Sequence, residues 1–201
     1  MSRYNKPRTV PLALVLILIA IVIAALVSIS RAIFFSGGSQ TTSQFDVSQQ
    51  ALLNTSADHS VRLTIRGPIV ADENFHTAVI TVTPFSRQFV NYTGYLLQQT
   101  NNQVALGNNI PAYEQFVYAL NKANLVKGNQ LVGDKNDTRG ICAAGRLYQF
   151  EVLTAGKSVT TLWTSTCKGS AGSLDGSVTQ LSNLFIVQIP NGRSLLSSVS
   201  L

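Results

Sequence analysis

The residues that could carry acid–base chemistry are concentrated in one short segment of the chain. Asp72, Glu73 and His76 lie within five residues, and the only other histidine is His59. A histidine beside a carboxylate is a pair that general acid–base hydrolysis can use. The E-x-x-H spacing of Glu73 and His76 is also found in di-metal sites, but here it occurs once and in a turn-like segment. We therefore expect no metal ion and no cofactor, and we keep hydrolysis by a dispersed active site as an alternative function.

The remaining sequence contains no established catalytic motif. Asp134, Asn136 and Asp137 resemble the start of a calcium loop, but the glycine falls at the seventh position and no glutamate closes the loop at the twelfth. The chain has no G-x-S-x-G, no Gly-rich phosphate loop and no H-E-x-x-H. No catalytic residue is assigned from these patterns.

Cys142 and Cys167 are the only cysteines. An even cysteine count in an oxidising compartment favours a disulfide. A redox pair would normally have the C-x-x-C spacing, and a zinc site would need two further ligands that two scattered histidines supply poorly. We therefore predict a structural disulfide between these two residues.

The segment between the cysteines is predicted to be a β-hairpin. If the cysteines face each other in an antiparallel pair, the turn falls at Thr154 and Ala155, next to the turn-forming Gly156. The same register places Trp163 opposite Arg146, where a cation–π pair could form.

Tyrosine, tryptophan and arginine on strands or loops are the best candidates for contact with a partner, because these residue types dominate interface hot spots. Each also fits ordinary sheet packing or a solvated strand face. The six candidates are Arg62, Arg66, Arg87, Tyr92, Tyr95 and Trp163.

The elements that hold these residues are mixed. Apolar and polar residues alternate over 61–66, which predicts a strand with one wet face, and residues 77–83 predict a second strand, antiparallel to the first through the polar turn at 72–74. Residues 89–97 fit either a strand or a helix, and we favour the strand. Strands at 146–153 and 158–167 form the predicted hairpin.

Two helices complete the predicted domain. Pro111 opens the first, with a buried stripe of Tyr113, Phe116, Val117 and Leu120, and the second runs from Val178 to Ile189 before Pro190. The fold class is therefore α+β, with antiparallel strands and hairpins, two helices and one disulfide.

Residues 10–29 contain no charged side chain and match the length of a transmembrane helix, about 30 Å. The run is longer than the apolar region of a cleaved signal peptide, which is the alternative. Arg3, Lys6 and Arg8 precede it and only Arg31 follows closely, so the N-terminus is expected in the cytoplasm. The predicted layout is a basic N-terminus (1–9), a single membrane span (10–30), a flexible Ser/Thr/Gln-rich tether (31–58), an extracytoplasmic domain (59–190) and a tail (191–201). Within the tether, residues 48–53 also fit a short helix.

The net charge of +6 would ordinarily suggest nucleic-acid binding. Four basic residues flank the membrane span, however, and the rest of the chain is close to neutral. The positive charge therefore reflects the orientation of the membrane span, and we expect no nucleic-acid partner.

Three segments carry a family resemblance: the run from Cys142 to Tyr148, Leu162 to Cys167, and Leu184 to Pro190. Behind a short basic N-terminus and one anchor, they resemble uncharacterised single-pass surface proteins of reduced-genome, host-dependent bacteria of the saccharibacterial type. The resemblance implies a location at the cell membrane and a shared small domain, and it carries over no catalytic residue.

These observations favour a membrane-anchored extracytoplasmic binding or interaction module, held in the lipid bilayer by residues 10–30. The expected partner is an envelope protein, a host-surface protein or a glycan. The alternatives are the hydrolase, with His76 and Asp72 or Glu73 as its first candidates, and a structural subunit of a cell-envelope complex.

Overall fold

A computed structural model describes residues 39–201. The predicted basic N-terminus (1–9) and membrane span (10–30) lie outside the described residues. Within 39–201 no helix has both the length and the apolar character needed to cross a bilayer. Phe45–Leu201 form one compact unit, which contains the predicted extracytoplasmic domain.

The described chain is an α+β fold built on one antiparallel six-stranded sheet with the strand order β4-β3-β2-β1-β5-β6. Single 3-10 turns at Asp72–Asn74 and Gly133–Asn136 lie in its loops. The elements in chain order are α1 (Ser39–Leu53), β1 (His59–Arg66), β2 (His76–Val82), β3 (Ser86–Thr93), β4 (Gln99–Gly107), α2 (Ile110–Lys122), β5 (Leu147–Thr154), β6 (Lys157–Ser165), α3 (Val178–Ile186) and α4 (Gly192–Ser197).

The hydrophobic core lies on one face of this sheet, here called the inner face. Val61, Leu63 and Ile65 point inward from β1, as the alternating pattern predicts, and the helices pack over them. Phe185 of α3 meets Phe116 of α2 edge to face, with the ring centroids 5.3 Å apart. The other residues of β1, including Arg62 and Arg66, therefore point to the opposite, outer face.

The predicted helix at Pro111 is confirmed, because α2 buries the expected stripe. Asn109 caps its N-terminus by accepting a hydrogen bond from the amide of Ala112 at 3.0 Å. The second predicted helix begins at Val178 as expected but ends at Ile186, three residues early.

The flexible tether predicted over 31–58 is wrong for residues 39–53, which form α1. Leu52 is fully buried, and Ser48 accepts a hydrogen bond from the hydroxyl of Thr160 at 2.7 Å. The polar composition predicts a spacer. The helix nevertheless docks on the core through Leu52 and the partly buried Ala51 and Leu53, and its polar side chains add hydrogen bonds to Asn121 and Thr160.

Two further elements depart from the predicted layout. β4 was not predicted; it is an edge strand whose side chains are mostly exposed, so it lacks the apolar alternation that signals a strand. The predicted tail at 191–201 contains α4, and Val199 beyond it is buried in the core. The described residues therefore hold four helices rather than two.

The predicted hairpin is present, but its register is wrong by three residues. Ala155 and Gly156 form the turn, both with positive φ, and Trp163 faces Gln149 rather than Arg146. The cation–π pair with Arg146 is therefore not supported. The error arose because the cysteines were placed opposite each other within the ladder, whereas both lie in loops outside it.

Candidate functional site

A groove crosses the outer face of the sheet at the end where β1 finishes. One part, here called the deep pocket or deep part, is a cavity of about 230 Å³ lined by Phe75, Tyr95 and Ile141, and the other, here called the wide part, is a depression of about 360 Å³ lined by Thr64, Tyr92 and Gln149. Arg66, the last residue of β1, lines both parts. We call the two parts together the outer groove.

Arg66 is the central charged group of the outer groove. Its guanidinium is half-buried, and the Nη2 atom donates hydrogen bonds to the hydroxyl and the carbonyl oxygen of Thr138. Burial lowers the pKa of Arg66 from its usual value, and the charge of Asp137 partly opposes that shift. Among the described residues Arg66 forms no ion pair with a carboxylate.

One wall of the deep pocket comes from two loops that are locked together. The rings of Phe75 and Tyr95 stack with their centroids 3.9 Å apart. The hydroxyl of Tyr95 donates to the carbonyl of Val70 at 2.7 Å, and its amide donates to the carboxylate of Asp72 at 2.8 Å. Gly94 precedes Tyr95 with φ of 84°, and a side chain there would press on the same carboxylate. The wall is thus built from the β1–β2 and β3–β4 loops.

The other wall is the loop from Thr138 to Ile141, and the disulfide holds it in place. Cys142 follows this loop directly and is bonded to Cys167 beyond the end of β6, which confirms the predicted disulfide. The amide of Ile69 donates to the carbonyl of Ala143 at 2.8 Å and ties the two walls together. The disulfide therefore positions a wall of the candidate site.

Arg139 and Asp137 form an exposed ion pair at the rim of the deep pocket, with nitrogen and oxygen 2.5 Å apart. Hydrogen bonds from Arg139 lower the pKa of the Asp137 carboxyl to about 2. Asp137 thus forms a direct ion pair with Arg139, whereas it acts on Arg66 only through a longer-range attraction.

The structure brings together four of the six predicted contact residues. Arg62, Arg66 and Tyr92 lie along the wide part of the outer groove, and Tyr95 covers the deep part. Arg62 is paired with the carboxylate of Glu151 on β5, at 2.7 Å.

The other two predicted contact residues lie elsewhere. Arg87 points to the inner face and donates to the carbonyl of Gln188 at 3.1 Å. Trp163 is only 5% exposed, which fits the alternative of ordinary sheet packing rather than contact with a partner. Ser173 and Leu174 pack along β6 there, and both donate to the carbonyl of Trp163.

Most residues that line the outer groove were not predicted as contacts, among them Phe75, Arg139 and Ile141. Phe75 and Ile141 have no distinguishing pattern in the sequence, and Arg139 lies in a stretch that composition marks only as a loop. The one available signal was the position of Ile141 beside Cys142, since a cross-linked loop is a fixed loop.

His76 and Asp72, two residues of the alternative hydrolase, hydrogen-bond to other partners than each other. His76 Nδ1 lies 3.1 Å from the hydroxyl of Thr93, and the Asp72 carboxylate binds the amide of Tyr95. His76 does not line the outer groove. Nowhere in residues 39–201 do three histidine, cysteine or acidic side chains gather as a metal site would require.

Comparison with known proteins gives no match to any protein-family model, curated protein or solved structure. The chain is thus described by its own architecture, an α+β domain whose helices pack on one face of an antiparallel sheet and whose other face carries an arginine- and tyrosine-lined groove. Function has to be argued from that groove.

Proposed function

We propose that this chain is a membrane-anchored extracytoplasmic binding module that holds a partner in the outer groove. The anchor is the uncharged run over residues 10–29, and the basic residues before it orient the N-terminus to the cytoplasm. The resemblance to surface proteins of host-dependent bacteria supports the same location. The partner is an envelope protein, a host-surface protein or a glycan.

The observation that carries the binding proposal is the environment of Arg66. A half-buried guanidinium has lost part of its hydration, and a carboxylate partner normally compensates for that loss. Arg66 has only the two oxygens of Thr138 instead. Its remaining donors lie beside a pocket with aromatic and aliphatic walls, which is the usual make-up of a ligand site.

A second observation supports binding at this end of the sheet. Ile69, Val70, Tyr95, Leu96 and Leu97 are all more than a third exposed and belong to the two loops that form the first wall. Contiguous exposed apolar side chains on a folded domain often mark an interaction surface. The groove and this apolar rim adjoin each other, so one partner can contact both.

Site-specific photo-crosslinking in the cells that produce the protein tests the binding function. A photoreactive residue at Leu97, in the groove, is compared with one at Tyr118, on α2, because the two native side chains are similarly exposed at 42% and 46%. We expect a discrete adduct at Leu97 that is absent at Tyr118 and is lost in the Arg66→Gln variant. Equal adducts at both positions, or none at Leu97, would contradict the proposal.

The proposed topology has its own test. A tag at the C-terminus should be removed by a protease added to intact cells, while a tag at the N-terminus should stay protected until the cells are lysed. Protection of the C-terminal tag would overturn the extracytoplasmic location without bearing on the groove.

A further inference from the structure

We propose that the outer groove binds the C-terminal end of a peptide chain, with the terminal carboxylate on Arg66 and the last, apolar side chain in the deep pocket. This inference rests on the proposed binding function and names the ligand class for the same groove.

The pairing of the charged side chains in the outer groove favours a ligand with a single anionic group. Arg62 is paired with Glu151, and Arg139 is paired with Asp137. These two pairs cancel and leave Arg66 as the one groove guanidinium of the described chain without a carboxylate partner. Guanidinium binds carboxylate with two parallel hydrogen bonds, so one carboxylate both neutralises Arg66 and uses its remaining donors.

The size and lining of the deep pocket call for one apolar side chain next to that carboxylate. Its volume of about 230 Å³ is below the range of about 300–1,000 Å³ that holds drug-sized ligands. Ile69, Phe75, Ile141 and Leu147 supply apolar wall atoms, and Arg66 stands at the edge. An aliphatic or aromatic side chain whose own α-carboxylate reaches Arg66 satisfies both requirements.

The mixed lining of the wide part of the groove favours a peptide over a fatty acid. Val79 and Leu97 contribute apolar atoms, and Thr64, Tyr92 and Gln149 contribute hydroxyl and amide groups beside Arg66. These groups can exchange hydrogen bonds with the backbone of residues that precede a C-terminus, whereas an alkyl chain lying there would leave them desolvated and unpaired. A free amino acid would leave the wide part empty.

The test measures binding of fluorescein-labelled hexapeptides to the full-length protein in detergent micelles. Peptides of the form Gly-Ser-Gly-Ser-Thr-X, with X as Leu, Val, Phe or Asp, are compared as free acids and as C-terminal amides. We expect a free acid ending in Leu, Val or Phe to bind at least ten-fold more tightly than its amide, because the amide loses the hydrogen-bonded charge pair with Arg66. We expect the same difference from the acid ending in Asp, because its charged side chain does not fit the apolar pocket.

Three variants locate the effect. Arg66→Gln should remove the preference for acid over amide, and Arg193→Gln, the same change at an exposed arginine on α4, should retain it. Ile141→Trp, which fills the deep pocket, should weaken the apolar free acids even if Arg66→Gln proves poorly folded. An intact disulfide and a circular dichroism spectrum like that of the wild type establish that each variant is folded.

Equal binding of acids and amides, or a preference that survives Arg66→Gln, would overturn the C-terminal assignment. The assignment would also be overturned if palmitate or free leucine displaced the bound peptide at the same concentration as unlabelled peptide does. If no peptide binds while the Leu97 crosslink forms, the ligand class is wrong and the binding function stands. If neither occurs, both proposals fail.

Discussion

Breaking the disulfide is the perturbation whose size can be worked out most directly. Cys142 and Cys167 are 25 residues apart in the chain. In the chain-entropy model, closing a loop of that length removes about 3.5 kcal/mol of conformational freedom from the unfolded state. We expect the Cys142→Ala/Cys167→Ala double variant, and the reduced wild type, to lose about that much unfolding free energy.

Trp163 provides the assay, because it is the only tryptophan and is buried on β6 close to the disulfide. Urea unfolding of the full chain in detergent, followed by its fluorescence, should show the midpoint falling by about 1.7 M for a slope of about 2 kcal/mol per molar. The double variant serves as the control for the reductant and should not respond to it.

A loss below about 1 kcal/mol would refute the reasoning, because the cross-link would then not be restricting the unfolded chain as the model requires. Breaking the disulfide should also affect the outer groove. The loop ending at Ile141 is a wall of the outer groove, so reduction should also weaken groove binding before the domain unfolds.

Three other perturbations have expected outcomes. Arg62→Leu should lower the unfolding free energy by about 2 kcal/mol, because it leaves the buried carboxylate of Glu151 without its partner. The Arg62→Leu/Glu151→Leu double variant should lose less, because no unpaired charge remains. A double-mutant cycle in urea unfolding measures both losses, and a larger loss in the double variant would contradict the prediction. Since the folded pKa of Asp137 is lowered from 3.8 to about 2, its stabilising contribution is present above the unfolded pKa and is lost as the pH falls through the folded one. A carboxyl NMR titration should therefore find it ionised well below pH 3.8, and an ordinary value would refute the ion pair. Gly172→Ala should destabilise the domain by about 2 kcal/mol more than Gly169→Ala does, as measured by thermal unfolding. Both glycines have positive φ, but only at Gly172 would the new Cβ overlap a backbone carbonyl. Equal effects of the two substitutions would refute the clash.

The predictions that hold are those in which a short stretch of sequence carries the whole signal. The alternation of Val61, Leu63 and Ile65 predicts the inner face of β1, and the stripe at Tyr113 to Leu120 predicts the buried side of α2. In both elements the period of the apolar residues and the geometry of the backbone are properties of neighbouring residues. No distant part of the chain is needed to interpret them.

The predictions that fail depend on where distant segments meet. The composition of α1 contains no sign that Ser48 will find the hydroxyl of Thr160, 112 residues later. Trp163 has the type and position of a surface contact, but it is buried at an edge strand that Ser173 covers. The disulfide pairing was right and the register inferred from it was wrong, because a disulfide constrains two loops as readily as two facing strand residues.

The three predicted arginines show why residue type alone could not locate the site. Arg62 and Arg66 lie on β1 and Arg87 lies on β3, two strands away, and each has the same chemistry. Glu151 neutralises the first, and two backbone carbonyls bind the third. Arg66, like Arg87, bonds to neutral oxygens instead of a carboxylate, but of the three only Arg66 also lines the apolar deep pocket, beside a loop more than seventy residues away. What sets Arg66 apart is therefore a charge without an ion pair at the edge of that pocket, and this combination exists only once β1 and the disulfide-held loop have come together.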